Sequence, residues 1–387
     1  MKKQTNCRLC QSDNMFKFLD LGYHPHSDQF RKTNDEPEER YPLTLYRCRE
    51  CGLAQLGQVV DAHELYTKDY LYEASITKTA DKHWSELVED VVETTGITEG
   101  VSVDIGGNDG TLALKFKEKG FDAYNIDPCT EVCEISASKG VQTINDFWNG
   151  QVEADIITGT NVFAHVDDLD NFTENIAKKL RGVFVFESPY FADFLEGLEY
   201  DTVYHQHLSY LSLKPLIPFL EKYGLRVFDV KRTPLHGGGF RVYIDQGERD
   251  VSPRVKEMLS NENWTEKELM EWGEKVKEHR DKLFDLVYSL YKEGKTIACV
   301  SSPAKGMTLL NYTGIGRYIS LITEKSKLKI GRYTPGTKIK IEGDEELIKR
   351  QPDYALLLAW NFADEIIKNN KEYKGKWLIP LPTIEVR

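Results

Sequence analysis

Cysteine is scarce in this chain, seven in 387 residues, which excludes the dense disulfide framework of a small secreted domain. No segment approaches the roughly 18 uninterrupted apolar residues that a bilayer span needs. The N-terminal MKKQTNCRLC has lysines but no apolar stretch of the secretory kind, so a cytoplasmic location is expected, with no membrane partner. Basic charge is in deficit: 50 Lys and Arg stand against 62 Asp and Glu, a net charge of −12. Such a surface repels phosphate backbones, and no basic, aromatic-interleaved face is present, so no nucleic-acid partner is expected. Also missing are internal repeats, low-complexity tracts and the G-x-G-x-x-G dinucleotide fingerprint.

What remains is a soluble globular composition, 40% hydrophobic and 29% charged, in a chain too long for one core. Four of the cysteines form two C-x2-C pairs, Cys7-Arg-Leu-Cys10 and Cys48-Arg-Glu-Cys51. Each pair makes a knuckle whose thiolates converge, and two knuckles give a closed, four-thiolate site suited to structural zinc. A closed site leaves no position for chemistry, so the metal's contribution is to the folding of a small module, placed at residues 1–70.

From Val101 the chain reads VSVDIGGNDGTLALKFKEKGFDAYNIDP. A strand, Val101–Ile105, runs into the turn Gly106-Gly107-Asn108-Asp109-Gly110; a helix and a second strand, Ala123–Ile126, end at Asp127. Glycines admit close backbone approach, and an acidic residue at the next strand's end can take a ribose hydroxyl pair. Asn108 stands where the fingerprint has its second glycine. Pyrophosphate binding is therefore disfavoured against a cofactor carrying adenosine without phosphate, which S-adenosylmethionine (SAM) fits. Strands follow at Asp155–Thr158, leading to Asn161–His165, and at Gly182–Glu187. A helix near Leu213–Tyr223 precedes two more, Leu225–Val230 and Gly239–Ile244, with no helix between them. Parallel neighbours need crossover helices, so the last strand is expected to run antiparallel, as in the seven-strand methyltransferase arrangement. The polar stretch 245–265 reads as a linker, Glu266 to Lys292 as a helix, and the strand Thr296–Val300 opens a second, smaller α/β domain.

One segment resists a bland reading: TVYHQHLSYLS, Thr202 to Ser212, sets Tyr204, His205, Gln206 and His207 inside an apolar run. Buried polar groups need partners. On a strand Tyr204 and His207 point to opposite faces; on a turn, the spacing of three puts them together. From the residues alone, a satisfied core histidine and a catalytic one both remain open.

The whole pattern resembles the SAM-dependent sugar C-methyltransferases that act on nucleotide-linked ketodeoxysugars. The landmarks, in order, are the two C-x2-C pairs, Asp69-Tyr70-Leu71-Tyr72, Asp104-Ile105-Gly106-Gly107-Asn108-Asp109-Gly110-Thr111, Asn161-Val162-Phe163-Ala164-His165 and Tyr204-His205-Gln206-His207. His236-Gly237-Gly238, Ala304-Lys305-Gly306-Met307, Gly331-Arg332-Tyr333-Thr334-Pro335-Gly336 and Ala359-Trp360-Asn361 complete them. The resemblance implies an α/β protein: a zinc module (1–70), a seven-strand class I SAM methyltransferase domain (71–250) and a C-terminal Rossmann-like domain (251–387). It implies methyl transfer from SAM to carbon, at C-3, of a dTDP- or GDP-linked 4-keto-6-deoxysugar through an enolate, with His207 as base and Tyr204 beside it. Asp104, Gly106, Asn108, Asp109, Asp127 and Asn161 fall to the cofactor.

Tyr70 and Tyr72 are read as sugar-facing, against hinge packing. His165 is read as a contact to the sugar or its keto oxygen, against helix capping. His236 is read as pocket-lining, against a turn made for its glycines, and Lys305 as a diphosphate contact, against a solvated lysine. Cys129 and Cys133 are read as packing residues. The chain departs from the family at Gln206, where Glu is usual, at Gly239 for Ser, at Asp104 for Glu and at Glu324-Lys325-Ser326. Gln206 puts its contact with the sugar substituent in doubt. Competing readings are a zinc-module RNA methyltransferase, a nicotinamide-dependent sugar oxidoreductase and a non-catalytic nucleotide-sugar binder. Three domains can close one site within a chain, so a monomer is expected.

Overall fold

The computed structural model describes residues 1–66, 78–234 and 237–387. Tyr70, Tyr72 and His236 lie outside the described residues.

The N-terminal part is built of short antiparallel strands. A ribbon joins β1 (Lys2–Lys3) to β5 (Gln58–Val59). The strands β2 (Met15–His24), β3 (Tyr41–Cys48) and β4 (Ala54–Leu56) form a meander, followed by α1 (Ala62–Tyr66). The first cysteine knuckle precedes β2; the second spans the β3–β4 turn, where Gly52 takes φ 86° and its N–H donates to the Cys48 carbonyl. The meander's apolar side does not close on itself. Phe16, Phe18, Leu43 and Leu45 belong to one core with Trp272 and the C-terminal sheet.

The central part begins with α2 (Lys78–Thr95). It continues through β6 (Val101–Ile105), α3 (Thr111–Glu118), β7 (Asp122–Asp127), α4 (Thr130–Ser138), β8 (Gln142–Asn145), β9 (Ala154–Thr160), α5 (Leu169–Lys179), β10 (Leu180–Pro189) and α6 (Phe191–Glu196). The strand β11 (Ser209–Tyr210) and α7 (Leu213–Glu221) lead to β12 (Arg226–Thr233), β13 (Gly239–Asp245) and α8 (Pro253–Ser260). Seven strands make one sheet in the order β12-β13-β10-β9-β6-β7-β8. As expected, β13 is antiparallel to both neighbours, whereas β9, β6, β7 and β8 pair in parallel. The stretch read as a linker contains α8, which Ser252 caps by accepting from the Arg254 N–H.

The long helix α9 (Glu266–Lys292) starts at a capping box of Thr265 and Glu268, a reciprocal arrangement that satisfies two free N–H groups. The third sheet follows. Its elements are β14 (Ile297–Val300), α10 (Ala304–Thr313), β15 (Leu321–Glu324), β16 (Ile341–Gly343), α11 (Glu345–Arg350), β17 (Tyr354–Leu357), α12 (Ala363–Asn369), β18 (Lys376–Ile379) and β19 (Glu385–Val386). The order β16-β15-β14-β17-β18-β19, parallel except for β19, is that of a Rossmann-like sheet. Its switch point lies between β14 and β17, beside the start of α10.

One strand crosses these boundaries. β11, which follows His207, pairs with β4 of the N-terminal meander: Ser209 with Gln55, Tyr210 with Ala54. The histidine segment is thus clamped between the first two units. Among the described residues, no helix is long and apolar enough to cross a membrane.

Candidate functional site

Residues 203–208 form a turn between a short helical turn, Tyr200–Thr202, and β11. The His207 N–H donates to the Tyr204 carbonyl at 3.0 Å, so both side chains lie on one side. The Tyr204 hydroxyl is 2.8 Å from His207 Nε2, and His207 Nδ1 is 2.8 Å from the Thr202 carbonyl. A carbonyl only accepts, so Nδ1 carries the proton and the Nε2 lone pair takes the tyrosine O–H. The imidazole is thereby held in one tautomer with its basic nitrogen on Tyr204.

The two residues between them turn away. His205 is buried edge-on against His26, ring centroids 5.1 Å apart, and burial pushes it down to about 3. It packs as a neutral core histidine. Gln206 donates from Nε2 to Asp28 at 2.9 Å, leaving its buried Oε1 without a partner at a cleft of about 310 Å3. His26, Arg31 and Lys32 from the N-terminal part, Glu64 from α1 and Arg332 from the C-terminal part also line that cleft.

His165 ends a turn after β9, its ring 4.9 Å from that of His207. The Leu208 N–H donates to the Ala164 carbonyl at 2.9 Å, which stitches the two segments together. Burial, then the neighbouring His207, holds His165 far below the usual histidine range, so it stays neutral. The Tyr66 hydroxyl lies 3.2 Å from its Nδ1, while its buried Nε2 has no partner. Where the Tyr66 hydroxyl donates, Nε2 carries the proton. Tyr66 was not singled out from the sequence; nothing in AHELY distinguishes it from a helix-packing tyrosine.

The carboxyl edge of the seven-strand sheet gathers the other predicted residues. Asp127 ends β7 and accepts from the Asn108 and Cys129 N–H groups at 3.0 and 2.8 Å. Asn108 takes φ 52°, a left-handed conformation that asparagine tolerates in place of glycine. A Cβ on Gly107 would overlap side-chain oxygens of Asn125 and Asp104, so that turn requires glycine. Asp104 lies beneath it, accepting from Thr158 at 2.8 Å, its other oxygen buried and unpartnered. Asp109 is turned to Thr111 and Lys139. Asn161 also has positive φ, and its N–H donates to the Glu187 carbonyl. An unpartnered carboxylate oxygen within a group of acids fits a cofactor that carries sulfonium and ammonium charge, as SAM does.

Sequence reading missed a second imidazole at this edge. His83 of α2 lies 2.7 Å from Glu187, which Arg241 also grips at 2.6 Å. Only the fold brings these three together.

The sulfurs of Cys7, Cys10, Cys48 and Cys51 all lie within 4.8 Å of one another. Tetrahedral zinc–thiolate bonds of about 2.3 Å place sulfurs about 3.8 Å apart, so the donor set fits zinc. Arg8, in the first knuckle, bonds Asp167 at 2.7 Å and docks the module on the central part. Lys305 is not among the residues that line the Arg31–Arg332 cleft. Its Nζ is 2.5 Å from Asn361 Oδ1 and 4.1 Å from the Trp360 ring centroid, with Asp201 and Glu199 opposite. Cys129 and Cys133 are buried.

Three family models match the chain in succession. Residues 7–66 match a zinc binding domain, 77–230 a methyltransferase domain, and 234–382 a C-methyltransferase C-terminal domain. The chain is 32% identical to the C-methyltransferase NovU of Streptomyces niveus, over 97% of this chain and 95% of that protein. Among solved structures, a SAM-dependent methyltransferase from Clostridium acetobutylicum is 15% identical with a TM-score of 0.35, covering 43% of this chain and 92% of that one. Magnesium protoporphyrin IX methyltransferase from Synechocystis with bound SAM is 10% identical with a TM-score of 0.36, covering 46% and 87%.

Proposed function

The chain belongs to the C-methyltransferase family, and on that premise we propose that its acceptor is a nucleotide-linked 4-keto-6-deoxysugar, methylated at C-3. The Tyr204–His207–Thr202 geometry carries this reading. Methylating carbon requires a carbon nucleophile, and a base that removes the proton beside a ketone makes one. His207, one tautomer fixed by Thr202, is that base; Tyr204 holds its Nε2 until the sugar arrives and then meets the sugar. His165, neutral and with Nε2–H unpartnered, donates to the oxygen that becomes enolate. Bound SAM supplies a methyl group with its leaving group already attached. The zinc site, closed by four thiolates, takes no part in the chemistry. The diphosphate lies at the cleft lined by Arg31, Lys32 and Arg332.

Incubation in deuterated water with SAM and a panel of dTDP- and GDP-4-ketosugars tests this, reading product mass and the carbon methylated by NMR. One added methyl at C-3, lost in His207→Ala, is the expected result. A methyl at C-5, the other carbon beside the ketone, would move the site of transfer while keeping the chemistry. Methylation undiminished in His207→Ala would remove His207 as the base.

A further inference from the structure

The Thr202 carbonyl that fixes the His207 tautomer ends a three-residue turn, Tyr200–Thr202, and the C-terminal unit holds that turn from behind. Trp360, in the turn after β17, donates from Nε1 to Asp201 at 2.6 Å. Thr308 of α10 donates to the Val203 carbonyl at 3.1 Å. His279 of α9 sits 3.0 Å from the Tyr200 hydroxyl, its other nitrogen 2.7 Å from the Pro380 carbonyl. Tyr200, Asp201 and Val203, all fully buried, are thus held by side chains of α9, α10 and the turn after β17.

The arrangement is costly as mere docking. Asp201 has a buried oxygen without a partner, as has Glu199, and the half-buried Lys305 lies against Trp360 beside them. Burying such charges generally stabilises less than apolar packing of equal volume, though directional bonds fix a register. The turn they fix is the one whose last carbonyl holds His207.

We propose that Trp360 and Asp201 are positioning residues: by fixing the Tyr200–Thr202 turn, they aim the Thr202 carbonyl at His207 Nδ1 and so keep Nε2 on the reacting carbon. This rests on His207 being the base. The C-terminal unit then serves the chemical step as well as packing. Loss of the Trp360 bond frees the turn, and an imidazole whose Nδ1–H has lost its carbonyl is a weaker base. Among the described residues, the titratable groups against His207 are Tyr204, His165 and, with ring centroid 6.5 Å away, Tyr210, all outside the C-terminal unit.

The test is the pH profile of kcat for the full-length zinc-loaded enzyme and for Trp360→Phe, Thr308→Val, Asp201→Asn and His207→Ala. Trp360→Phe should lower kcat about 10- to 100-fold, as expected of a misplacement near 1 Å, and move the acidic limb to lower pH. Its SAH affinity by calorimetry should match wild type. Thr308→Val should shift the limb the same way by less. Asp201→Asn, whose amide oxygen still accepts from Trp360, should stay within a few-fold of wild type. A Trp360→Phe profile with the wild-type limb overturns the inference, even if kcat falls. Activity retained in His207→Ala would instead overturn the reading beneath it.

Discussion

Asp104 concentrates the electrostatics of the cofactor edge in one side chain. Burial, reinforced by Asp127 and Asp109, pushes it up to about 7 despite the Thr158 hydrogen bond. A carboxyl raised above its unfolded value favours the folded state while protonated, and that contribution is lost as pH climbs from about 4 towards 7. A cation bound beside Asp104 reverses the preference and draws off its proton. SAM should therefore bind more tightly as pH rises through about 7, with proton release. Calorimetry in two buffers of different ionisation enthalpy would register that release, and Asp104→Asn should abolish it. Buffer-independent heats in wild type would place the cofactor's charge elsewhere. Other residues were legible only in part. The Tyr204–His207 pairing follows from spacing once the segment is a turn. The separation of His205 and Gln206 from them depends on what lies opposite, His26 and Asp28, whose approach no local pattern announces.

Among the elements, the strands with continuous apolar runs were readable. Val101–Ile105 and the capped helix Glu266–Lys292 coincide with their sequence-based limits, the strand because it is an apolar run buried on both faces and the helix because a capping box marks its start. The missed strand β8, QTIN, is a half-exposed sheet edge with one apolar residue, and therefore carries no periodic signal. The helix α8 was hidden by its polar face in the stretch read as linker. Least readable was β11: two residues cannot show a period, and their partner β4 lies far away in sequence. That pairing gives zinc a route to activity without chemistry. Cys48 ends β3, β3 pairs with β4, and β4 holds β11 directly after His207. Removing zinc, monitored by metal analysis, should lower the thermal midpoint and reduce methyl transfer by more than 10-fold, the scale of a displaced catalytic group. SAH affinity should fall less than activity, since one face of the seven-strand sheet packs on α2 and α3 in a core that the cysteine module does not enter. Full methyl transfer by metal-free protein would break this chain of contacts.

At the scale of the molecule, the difficulty is charge. A protein of net charge −12 repels a nucleotide diphosphate at long range, so an acceptor of that kind requires locally focused cations. The cleft sets three, Arg31, Lys32 and Arg332, beside Asp28, Glu36 and Glu64, and brings them together only when the first and last units are docked. Arg31 and Lys32 lie on the N-terminal loop and Arg332 on the C-terminal one, and the two loops bond each other. Arg31 N–H donates to the Tyr333 carbonyl at 3.0 Å, Tyr333 N–H to Arg31 at 2.8 Å, and Gly336 N–H to Glu38 at 2.7 Å. Neither loop alone assembles three positive side chains, so acceptor binding should read out their docking. Arg332→Ala should raise KM for the nucleotide ketosugar about 10- to 100-fold, the range of a charge-assisted hydrogen bond, with SAH affinity unchanged. The wild-type KM should also rise with ionic strength, and the variant's should rise less, because the screened contact is already gone. A KM indifferent to both the substitution and salt would mean that the diphosphate binds outside this cleft. The docked loops would then serve packing alone.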